Sequence, residues 1–451
     1  MKMIEGDYII MKKTDAKKTP NIIFILTDDW GYGDLGCYNN EEIQTPNIDK
    51  LAEEVTRFTD FHVASPVCSP SRCAFMTGHY PARHLVHGHY ERYDHNTARH
   101  MNNWLDKDVH TLPKLLKEAG YRTAHYGKWH LGGGGGQYGH PDAPPVIEYG
   151  YDATRVWNGN GPTWLGTEKW PFTLFNDIDK VWAANSSRMA IEETLEFIKQ
   201  DKDKPFFINL WLKDPHTPLH PTKEQREPYK DLEEPRQTYY SVLTNADKYI
   251  GVLMEELEAM GLSENTIIVF TSDNGPETIT LEDGTWGSTG GLRGRKRSLY
   301  EGGVRVPFIV RWPGITPANN VDSTSLLSAV DMLPTFLDIT GVEMPTDLQP
   351  DGVNVVDAFR GNEITRKKAI MWEWRFYHND DDFWPMLAIR NDQYVLITNP
   401  VLDKVELYNL KIDEQQKNNI VKEYPEVVER LNRQMEEWNT LLPGYSNRPG
   451  V

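Results

Sequence analysis

Hydrophobic runs alternate with amphipathic segments along the first three quarters of the chain. The segment Asn21–Thr27 is apolar at nearly every position, which is typical of a strand buried on both faces of a sheet. The same pattern predicts strands at Tyr121–Tyr126, Phe206–Leu212 and Thr266–Ser272. Amphipathic periodicity predicts helices at His110–Ala119, Ser187–Gln200 and Gln237–Met260. Strands and helices that alternate in this way predict an α/β fold with a large, mostly parallel sheet sandwiched by helices.

A further helix is predicted to begin at Thr45–Asn47. Thr45 is of a residue type that caps helix N-termini, and Pro46 suits the first helical position. The apolar residues that follow recur at the spacing of one buried helix face: Ile48, Leu51, Ala52 and Val55.

The pattern changes after about Gly352. Short strands with tight connections are predicted at Ala369–Trp374, Met386–Ile389 and Gln393–Thr398, followed by a terminal helix at Pro425–Leu442. These elements predict a smaller α+β subdomain with an antiparallel sheet. We therefore expect an N-terminal extension at residues 1–20, a main domain at residues 21–352 and a C-terminal subdomain at residues 353–451. The glycine run Gly132–Gly136 is predicted to be a loop within the main domain.

Composition and charge narrow the class of protein. The chain has 451 residues, of which 39% are hydrophobic and 25% charged, as in an ordinary globular protein. Apolar runs such as Ile22–Leu26 are far shorter than the roughly 20 residues that span a membrane. The net charge of −18 opposes binding to a nucleic-acid backbone, although a local basic pocket still suits a small anion. Three cysteines are too few for a disulfide framework.

The N-terminus leaves the cellular location open. Tyr8–Met11 is a four-residue apolar stretch, whereas a secretory signal needs an apolar core of roughly 7–15 residues. Either the protein is cytoplasmic, or a leader has been removed and the protein is periplasmic or extracellular.

Two acidic clusters follow buried strands directly. Asp28 and Asp29 come after one predicted strand, and Asp273 and Asn274 come after another. Because ligands bind at the carboxyl ends of strands in open α/β sheets, these side chains are expected to converge. Carboxylate and amide oxygens suit Ca²⁺ or Mg²⁺ and are poor ligands for zinc. The alternative is that each aspartate only caps the turn that follows it.

The segment Cys68–Arg72 carries the most specific signal. A cysteine at a proline-containing helix start beside an arginine is a candidate nucleophile, and the alternative is a buried structural cysteine. Cys-x-Pro-Ser-Arg followed by Thr77 and Gly78 fixes six positions within eleven residues. This pattern resembles the signature of the type I, formylglycine-dependent sulfatases of the alkaline-phosphatase-like superfamily.

Other segments resemble that family in the expected order along the chain. They are Leu26–Gly31, Thr45–Ala52, Gly127–Gly132, Pro215–Pro218, Thr271–Gly275, Gly294–Lys296 and Glu301–Pro307. The resemblance implies that residues 21–352 form the catalytic sulfatase domain. It also implies a bacterial enzyme that degrades sulfated polysaccharides or other sulfated carbohydrates.

The resemblance further implies the chemistry of the site. Cys68 would be converted to formylglycine, whose hydrate attacks sulfur with one hydroxyl and later releases sulfate with the other. Ca²⁺, or alternatively Mg²⁺, would be held by Asp28, Asp29, Asp273 and Asn274, together with the converted Cys68 side chain. The implied partners are a sulfated saccharide substrate and a formylglycine-generating or anaerobic sulfatase-maturing enzyme.

The remaining roles are also carried over by resemblance. Arg72 would stabilise the hydrated aldehyde, and Lys128 and Lys296 would neutralise charge on the sulfuryl and leaving oxygens. His130 would orient or deprotonate the hydrate, and His216 would protonate the leaving oxygen.

Two further segments have weaker signals. Six of the fourteen histidines lie between His79 and His100, which indicates a polar specificity loop at the mouth of a site rather than a second metal centre. Trp157, Trp164 and Trp170 are either sugar-stacking faces or core residues.

Two other functions compete with the sulfatase reading. A phosphonate monoester or phosphodiester hydrolase of the same superfamily is the nearest alternative, but those relatives tend to carry histidine where this chain has Asn274. A non-catalytic carbohydrate-binding protein would need a degenerate site, and the motif positions are intact.

Overall fold

The computed structural model describes residues 19–132, 142–158, 178–280, 284–375, 386–399 and 404–443. The strands of this part of the chain are β1 (Asn21–Thr27), β2 (Thr56–Phe58), β3 (Phe61–His62), β4 (Arg122–Lys128), β5 (Ala153–Trp157), β6 (Phe206–Trp211), β7 (Thr266–Ser272), β8 (Phe308–Arg311), β9 (Asn320–Asp322), β10 (Leu327–Ser328), β11 (Ile370–Glu373), β12 (Leu387–Asn391), β13 (Tyr394–Thr398) and β14 (Val405–Asn409). The α-helices are α1 (Pro46–Glu53), α2 (Cys68–Thr77), α3 (Tyr93–Ala98), α4 (Leu112–Glu118), α5 (Ile178–Gln200), α6 (Lys223–Arg226), α7 (Arg236–Ala259), α8 (Glu301–Val304), α9 (Met332–Thr340), α10 (Val356–Phe359) and α11 (Pro425–Thr440).

The main sheet has eight strands in the order β5-β4-β6-β1-β7-β8-β2-β9. The five strands from β5 to β7 are parallel, whereas β8 runs antiparallel to both of its neighbours. Side chains of β1 alternate between two hydrophobic clusters, with Phe24 and Leu26 on one face and Ile23 and Ile25 on the other. This two-sided burial explains the continuous apolar run and confirms the predicted mostly parallel sheet covered by helices.

Helix α1 begins where the sequence predicts, but its N-terminus is stabilised differently. Thr45 occupies the cap position, yet its hydroxyl donates to Asp49 and accepts from the N–H of Gly36 instead of capping the helix. The carboxylate of Asp247 on α7 instead accepts the backbone N–H groups of Asn47 and Ile48, at 3.2 and 2.8 Å. The predicted Thr45 cap is therefore wrong, because a carboxylate from a neighbouring helix satisfies these donors.

The C-terminal strands β11–β14 form an antiparallel sheet in sequence order, as predicted from the change of pattern, although β14 itself was not predicted. Trp372 of this sheet and Met435 of α11 belong to the same hydrophobic cluster as Phe24 of β1. Arg390 on β12 also forms a bidentate ion pair with Asp60, with both N–O distances 2.7 Å. The C-terminal sheet therefore shares a core with the main sheet, and the boundary at residues 352 and 353 stays a prediction.

Two expectations depend on residues outside the described part. Most of the glycine run Gly132–Gly136 lies there, as do Trp164 and Trp170. In the described residues, no helix has both the length and the apolar character needed to cross a membrane.

Candidate active site

The carboxyl ends of β1 and β7 place four oxygen-bearing side chains together. The two strands are parallel neighbours whose last residues, Thr27 and Ser272, are paired in register. Asp28 and Asp29 therefore lie beside Asp273 and Asn274, and the backbone N–H of Asp29 donates to Asp273 Oδ1 at 3.3 Å. Asp29 holds a left-handed backbone conformation, with φ of 67°, where the chain turns away from the strand.

Cys68 is the first residue of α2 and faces this cluster. Its Sγ lies 3.4 Å from Asp28 Oδ1 and 3.3 Å from Lys128 Nζ. Ligand atoms of Asp28, Asp29, Cys68 and Asp273 all lie within 4.8 Å of one another. The structure thus brings together the two acidic clusters and the cysteine that the sequence predicts.

Each carboxylate of the cluster has a buried cation beside it. Lys128 Nζ lies 2.5 Å from Asp28 Oδ2, and Lys296 Nζ lies 2.6 Å from Asp29 Oδ2. Arg72 donates to Asp273 Oδ2 through Nε at 2.9 Å and through Nη2 at 2.6 Å. These close pairs compensate charges that would otherwise be very unfavourable in the interior.

The local charges shift the ionisation of the cluster. Burial raises the pKa of the Cys68 thiol far above its usual value, and the nearby Asp28 raises it further. Burial also raises the pKa of Asp273 to about 7, against the opposing effect of Arg72. For Asp28, the effect of burial is outweighed by Lys128, His216 and Arg72, so its pKa is well below the usual range. Cys68 is consequently a protonated thiol near neutral pH, whereas Asp28 is ionised.

The donor set fits a hard divalent cation. Asn274 Nδ2 donates to Asp29 Oδ1 at 2.7 Å and to the Gly275 carbonyl at 2.9 Å. These bonds fix the amide orientation, and Asn274 Oδ1 is buried without a hydrogen-bond partner. A buried acceptor without a donor is unfavourable unless a ligand completes it. Together with three carboxylates, this oxygen matches the ligands that Ca²⁺ and Mg²⁺ prefer.

His216 lies in the segment that follows β6 and approaches the same cluster. One of its ring nitrogens lies within 4.8 Å of the ligand atoms of Asp28 and Cys68. Its Nδ1 lies 2.8 Å from the Thr217 carbonyl and therefore carries the proton, which leaves Nε2 to face the site. The Trp157 ring lies 6.1 Å from the His216 ring, so this tryptophan lies beside the site.

His130 is the predicted site residue whose hydrogen bond leads away from the cluster. Its Nε2 donates to the Tyr90 carbonyl at 3.0 Å, and its buried Nδ1 has no hydrogen-bond partner. Burial and the charge of Lys128 hold the pKa of His130 well below its usual value. His130 is therefore a neutral ring with a free lone pair, close to Lys128.

Sequence reasoning missed two charged residues beside the site. Lys213 is buried and donates to the carbonyls of His216 and Pro218, the latter at 2.8 Å. Glu277 lies 3.4 Å from Lys296 Nζ and forms an ion pair with Arg297. Neither residue belongs to a motif, and only their position shortly after a strand end points to the site.

The histidine-rich segment contributes side chains to the surroundings of the site. The ring centroid of His89 lies 6.3 Å from that of His130, whereas His87 is buried against Glu373 at 3.3 Å. None of the six histidines belongs to a metal-competent group of side chains in the described residues. A third such group, formed by Asp60, His62 and Glu301, is neutralised by neighbouring arginines.

The fold and this cluster define an enzyme of the alkaline-phosphatase-like superfamily. More narrowly, the chain belongs to the sulfatase family, whose model, described as Sulfatase, matches residues 20–342. Residues 294–440 match the model described as N-sulphoglucosamine sulphohydrolase, C-terminal. The protein is therefore a sulfuric ester hydrolase, and members of its family generally use a formylglycine and a divalent metal ion.

Similar proteins support the same assignment. The chain is 33% identical to the N-acetylgalactosamine-6-sulfatase of Canis lupus familiaris over 84% of this chain and 72% of the relative. It is 29% identical to the N-acetylgalactosamine-6-O-sulfatase of Bacteroides thetaiotaomicron over 93% of both chains. Among solved structures, Ps i-CgsB in complex with k-i-k-neocarrahexaose matches with a TM-score of 0.76 and 29% identity over 93% of both chains.

Proposed function

We propose that this protein hydrolyses a sulfate ester of a saccharide, with Cys68 converted to formylglycine as the nucleophile. The observation that carries the proposal is the position of Cys68, with its Sγ between Asp28 Oδ1 and Lys128 Nζ. We also propose that residues 21–352 form the catalytic domain and residues 353–451 a C-terminal subdomain.

The properties of the thiol support its conversion. The raised pKa leaves Cys68 protonated, and a neutral thiol is a poor nucleophile. The hydrate of formylglycine supplies one hydroxyl that attacks sulfur and a second that releases sulfate as the aldehyde re-forms. Lys128 and Arg72 both pair with Asp28, and Lys128 Nζ also lies 3.3 Å from Cys68 Sγ, so we assign them to stabilise negative charge on the nucleophile and the sulfuryl oxygens.

We assign the metal site to Asp28, Asp29, Asp273 and Asn274, with the converted Cys68 side chain completing it, and Ca²⁺ as the ion. The unpartnered Asn274 Oδ1 and the oxygen-rich donor set support this assignment. When bound there, the ion would supply Lewis-acid polarisation of a sulfate oxygen. Lys296, which pairs with Asp29, is assigned to neutralise charge on the sulfate.

His216 is assigned the role of general acid to the leaving oxygen. Burial and Lys128 lower its pKa to about 4, so the free enzyme holds a neutral ring at pH 7. A bound sulfate places negative charge nearby and raises that pKa. A proton taken up by His216 in the substrate complex would lie on Nε2, because Nδ1–H remains bonded to Thr217. His130 Nδ1 has no hydrogen-bond partner, and we assign it to accept a hydrogen bond from a hydroxyl of the formylglycine hydrate.

The similar proteins favour a sulfated sugar of the galactose type as the substrate. Both relatives described above are N-acetylgalactosamine-6-sulfatases, and the solved structure holds a neocarrahexaose. N-Acetylgalactosamine 6-sulfate is accordingly the first substrate to test. Asn274, in place of a histidine, favours this function over hydrolysis of a phosphonate monoester or phosphodiester.

The test begins with co-expression of the chain with a formylglycine-generating or anaerobic sulfatase-maturing enzyme. Mass spectrometry of the peptide that contains Cys68 is expected to show an aldehyde or its hydrate in active protein. The converted enzyme is expected to hydrolyse N-acetylgalactosamine 6-sulfate and 4-nitrophenyl sulfate, and to lose both activities in chelator.

Two variants and two classes of substrate complete the design. Cys68→Ala is expected to abolish turnover, whereas Cys37→Ala, at a half-buried cysteine that does not belong to the cluster, is expected to retain it. Full activity in protein that carries only the free Cys68 thiol would contradict the mechanism. Faster hydrolysis of phosphonate or phosphate esters than of sulfate esters would favour the alternative function.

A further inference from the structure

His89 lies beside His130, one of the assigned residues of the site. Its ring centroid is 6.3 Å from that of His130. The His89 side chain is 22% exposed, so a ligand can reach it.

The backbone around His89 is fixed to the catalytic helix. The N–H of Tyr90 donates to Ser69 Oγ at 3.0 Å, and Ser69 directly follows Cys68 on α2. His130 Nε2 donates to the Tyr90 carbonyl, and Arg99 Nη1 donates to the His89 carbonyl at 2.5 Å. These three bonds hold His89 in a defined position relative to the nucleophile.

A carboxylate determines which ring nitrogen of His89 is free. His89 Nε2 lies 2.9 Å from Glu91 Oε1, while Glu91 Oε2 accepts from Arg99 at 2.9 Å and from His95 at 2.6 Å. Burial opposes ionisation of Glu91, but His89, His95 and Arg99 lower its pKa to about 2. An ionised carboxylate only accepts hydrogen bonds, so His89 Nε2 carries the proton and Nδ1 carries a lone pair. Nδ1 makes no hydrogen bond to any described residue.

The protonation state of His89 indicates the group that it recognises. Burial lowers its pKa to about 4, against the opposing effect of Glu91, so the ring is neutral at pH 7. A neutral ring with a free lone pair accepts a hydrogen bond from a hydroxyl and does not attract a sulfate or carboxylate.

We propose that His89, oriented by Glu91, is a specificity-determining residue that accepts a hydrogen bond through Nδ1 from the saccharide hydroxyl nearest to the scissile sulfate. In N-acetylgalactosamine 6-sulfate this is the hydroxyl at carbon 4. The inference rests on the proposed function, because it concerns recognition of the sugar in the same site.

Binding is measured first, on Cys68→Ala protein, which cannot turn the ligand over. Isothermal titration compares N-acetylgalactosamine 6-sulfate with its 4-deoxy analogue. His89→Ala is expected to raise the Kd for the parent sugar about 3- to 10-fold, which is the range for one hydrogen bond. The parent protein is expected to discriminate against the 4-deoxy analogue by a similar factor, and His89→Ala is expected to bind both ligands equally. His89→Gln, which retains an acceptor, is expected to restore part of the discrimination.

Activity of the converted enzyme provides the second measurement. His89→Ala is expected to lower kcat/KM for the sugar sulfate by the same factor and to leave 4-nitrophenyl sulfate within about 2-fold. His95→Ala is the matched control, because His95 also bonds to Glu91 and contacts the exposed side chains of Arg92 and Asp94. It is expected to change neither substrate by more than about 2-fold.

The outcomes separate this inference from the proposed function. Continued discrimination against the 4-deoxy sugar in His89→Ala, or equal loss on both substrates, overturns the role of His89. If the enzyme hydrolyses 4-nitrophenyl sulfate but does not bind N-acetylgalactosamine 6-sulfate, the proposed recognition of the carbon-4 hydroxyl is overturned, whereas the sulfatase activity stands. A converted enzyme that hydrolyses no sulfate ester contradicts the proposed function itself.

Discussion

Lys213→Met is expected to impair catalysis by displacing His216. The buried ammonium of Lys213 donates to the His216 and Pro218 carbonyls and lies 5.3 Å from the Trp182 ring centroid. Methionine fills a similar volume but leaves both carbonyls without their donor. A fully buried unsatisfied acceptor costs about 1–3 kcal/mol, and because His216 is only partly buried and Pro218 is exposed, the segment loses no more than about 1–3 kcal/mol of local stability. A displacement of about 1 Å at a catalytic group lowers the rate about 10²-fold.

The assay compares kcat for N-acetylgalactosamine 6-sulfate and 4-nitrophenyl sulfate in Lys213→Met, His216→Ala and the double variant. Because Lys213 acts through His216, the double variant is expected to be no more than about 2-fold slower than His216→Ala. Lys199→Met removes an exposed lysine that pairs with Glu256, and it is expected to have no effect. Losses that multiply in the double variant would refute the argument, because Lys213 would then act independently of His216.

Three further predictions follow from the site and the core. His216→Ala is expected to slow hydrolysis of the sugar sulfate about 10²–10⁴-fold and that of 4-nitrophenyl sulfate much less, since nitrophenolate leaves without a proton; equal loss in kinetic assays would indicate a sulfate-binding role instead. Asp28→Ala or Asp273→Ala is expected to remove the bound metal, measured by mass spectrometry of the elements, and nearly all turnover, whereas the exposed Asp203→Ala retains both. Burial opposes ionisation of Asp60, yet Arg390 lowers its pKa to about 2, below the unfolded value of 3.8. The ionised Asp60 carboxylate therefore contributes about 2 kcal/mol to the free energy of unfolding above pH 4, and this contribution is lost as the pH falls towards 2. Asp60→Asn should remove this pH dependence from the free energy of unfolding, measured with urea at pH 5 and pH 3.

The central strands of the fold were predictable because each buried strand is a run of consecutive, mostly apolar residues. Asn21–Thr27 and Thr266–Ser272 coincide with β1 and β7 at both ends. Strands β2 and β9, with three residues each, have no pattern long enough to detect, and they form because β8 pairs with β2 and β2 in turn pairs with β9. The stabilisation of α1 by Asp247 could not be predicted from the sequence either, since the two segments lie about 200 residues apart in the chain.

The candidate site was predictable where residues belong to motifs. The resemblance assigned Cys68 and the metal cluster, and the structure shows how the cations pair with individual carboxylates. Lys213 was missed because a lysine after a strand has no distinguishing pattern, and within the predicted specificity loop the sequence does not single out His89 from the other five histidines. Their positions depend on hydrogen bonds between distant segments, such as that of Tyr90 to Ser69, which the linear sequence does not reveal.

The burial of Cys68 restricts any modification of this residue to the time before the chain has folded. Cys68 is 2% exposed, and every residue of α2 is buried in the folded chain. An enzyme that binds this segment therefore has to act on the nascent or unfolded chain, before the helix packs beneath the sheet edge. If Cys68 is converted as proposed, folding and modification compete in time, and a molecule that folds first keeps its thiol. The active fraction of a preparation would then be fixed during synthesis, and adding the modifying enzyme to folded protein is not expected to increase it.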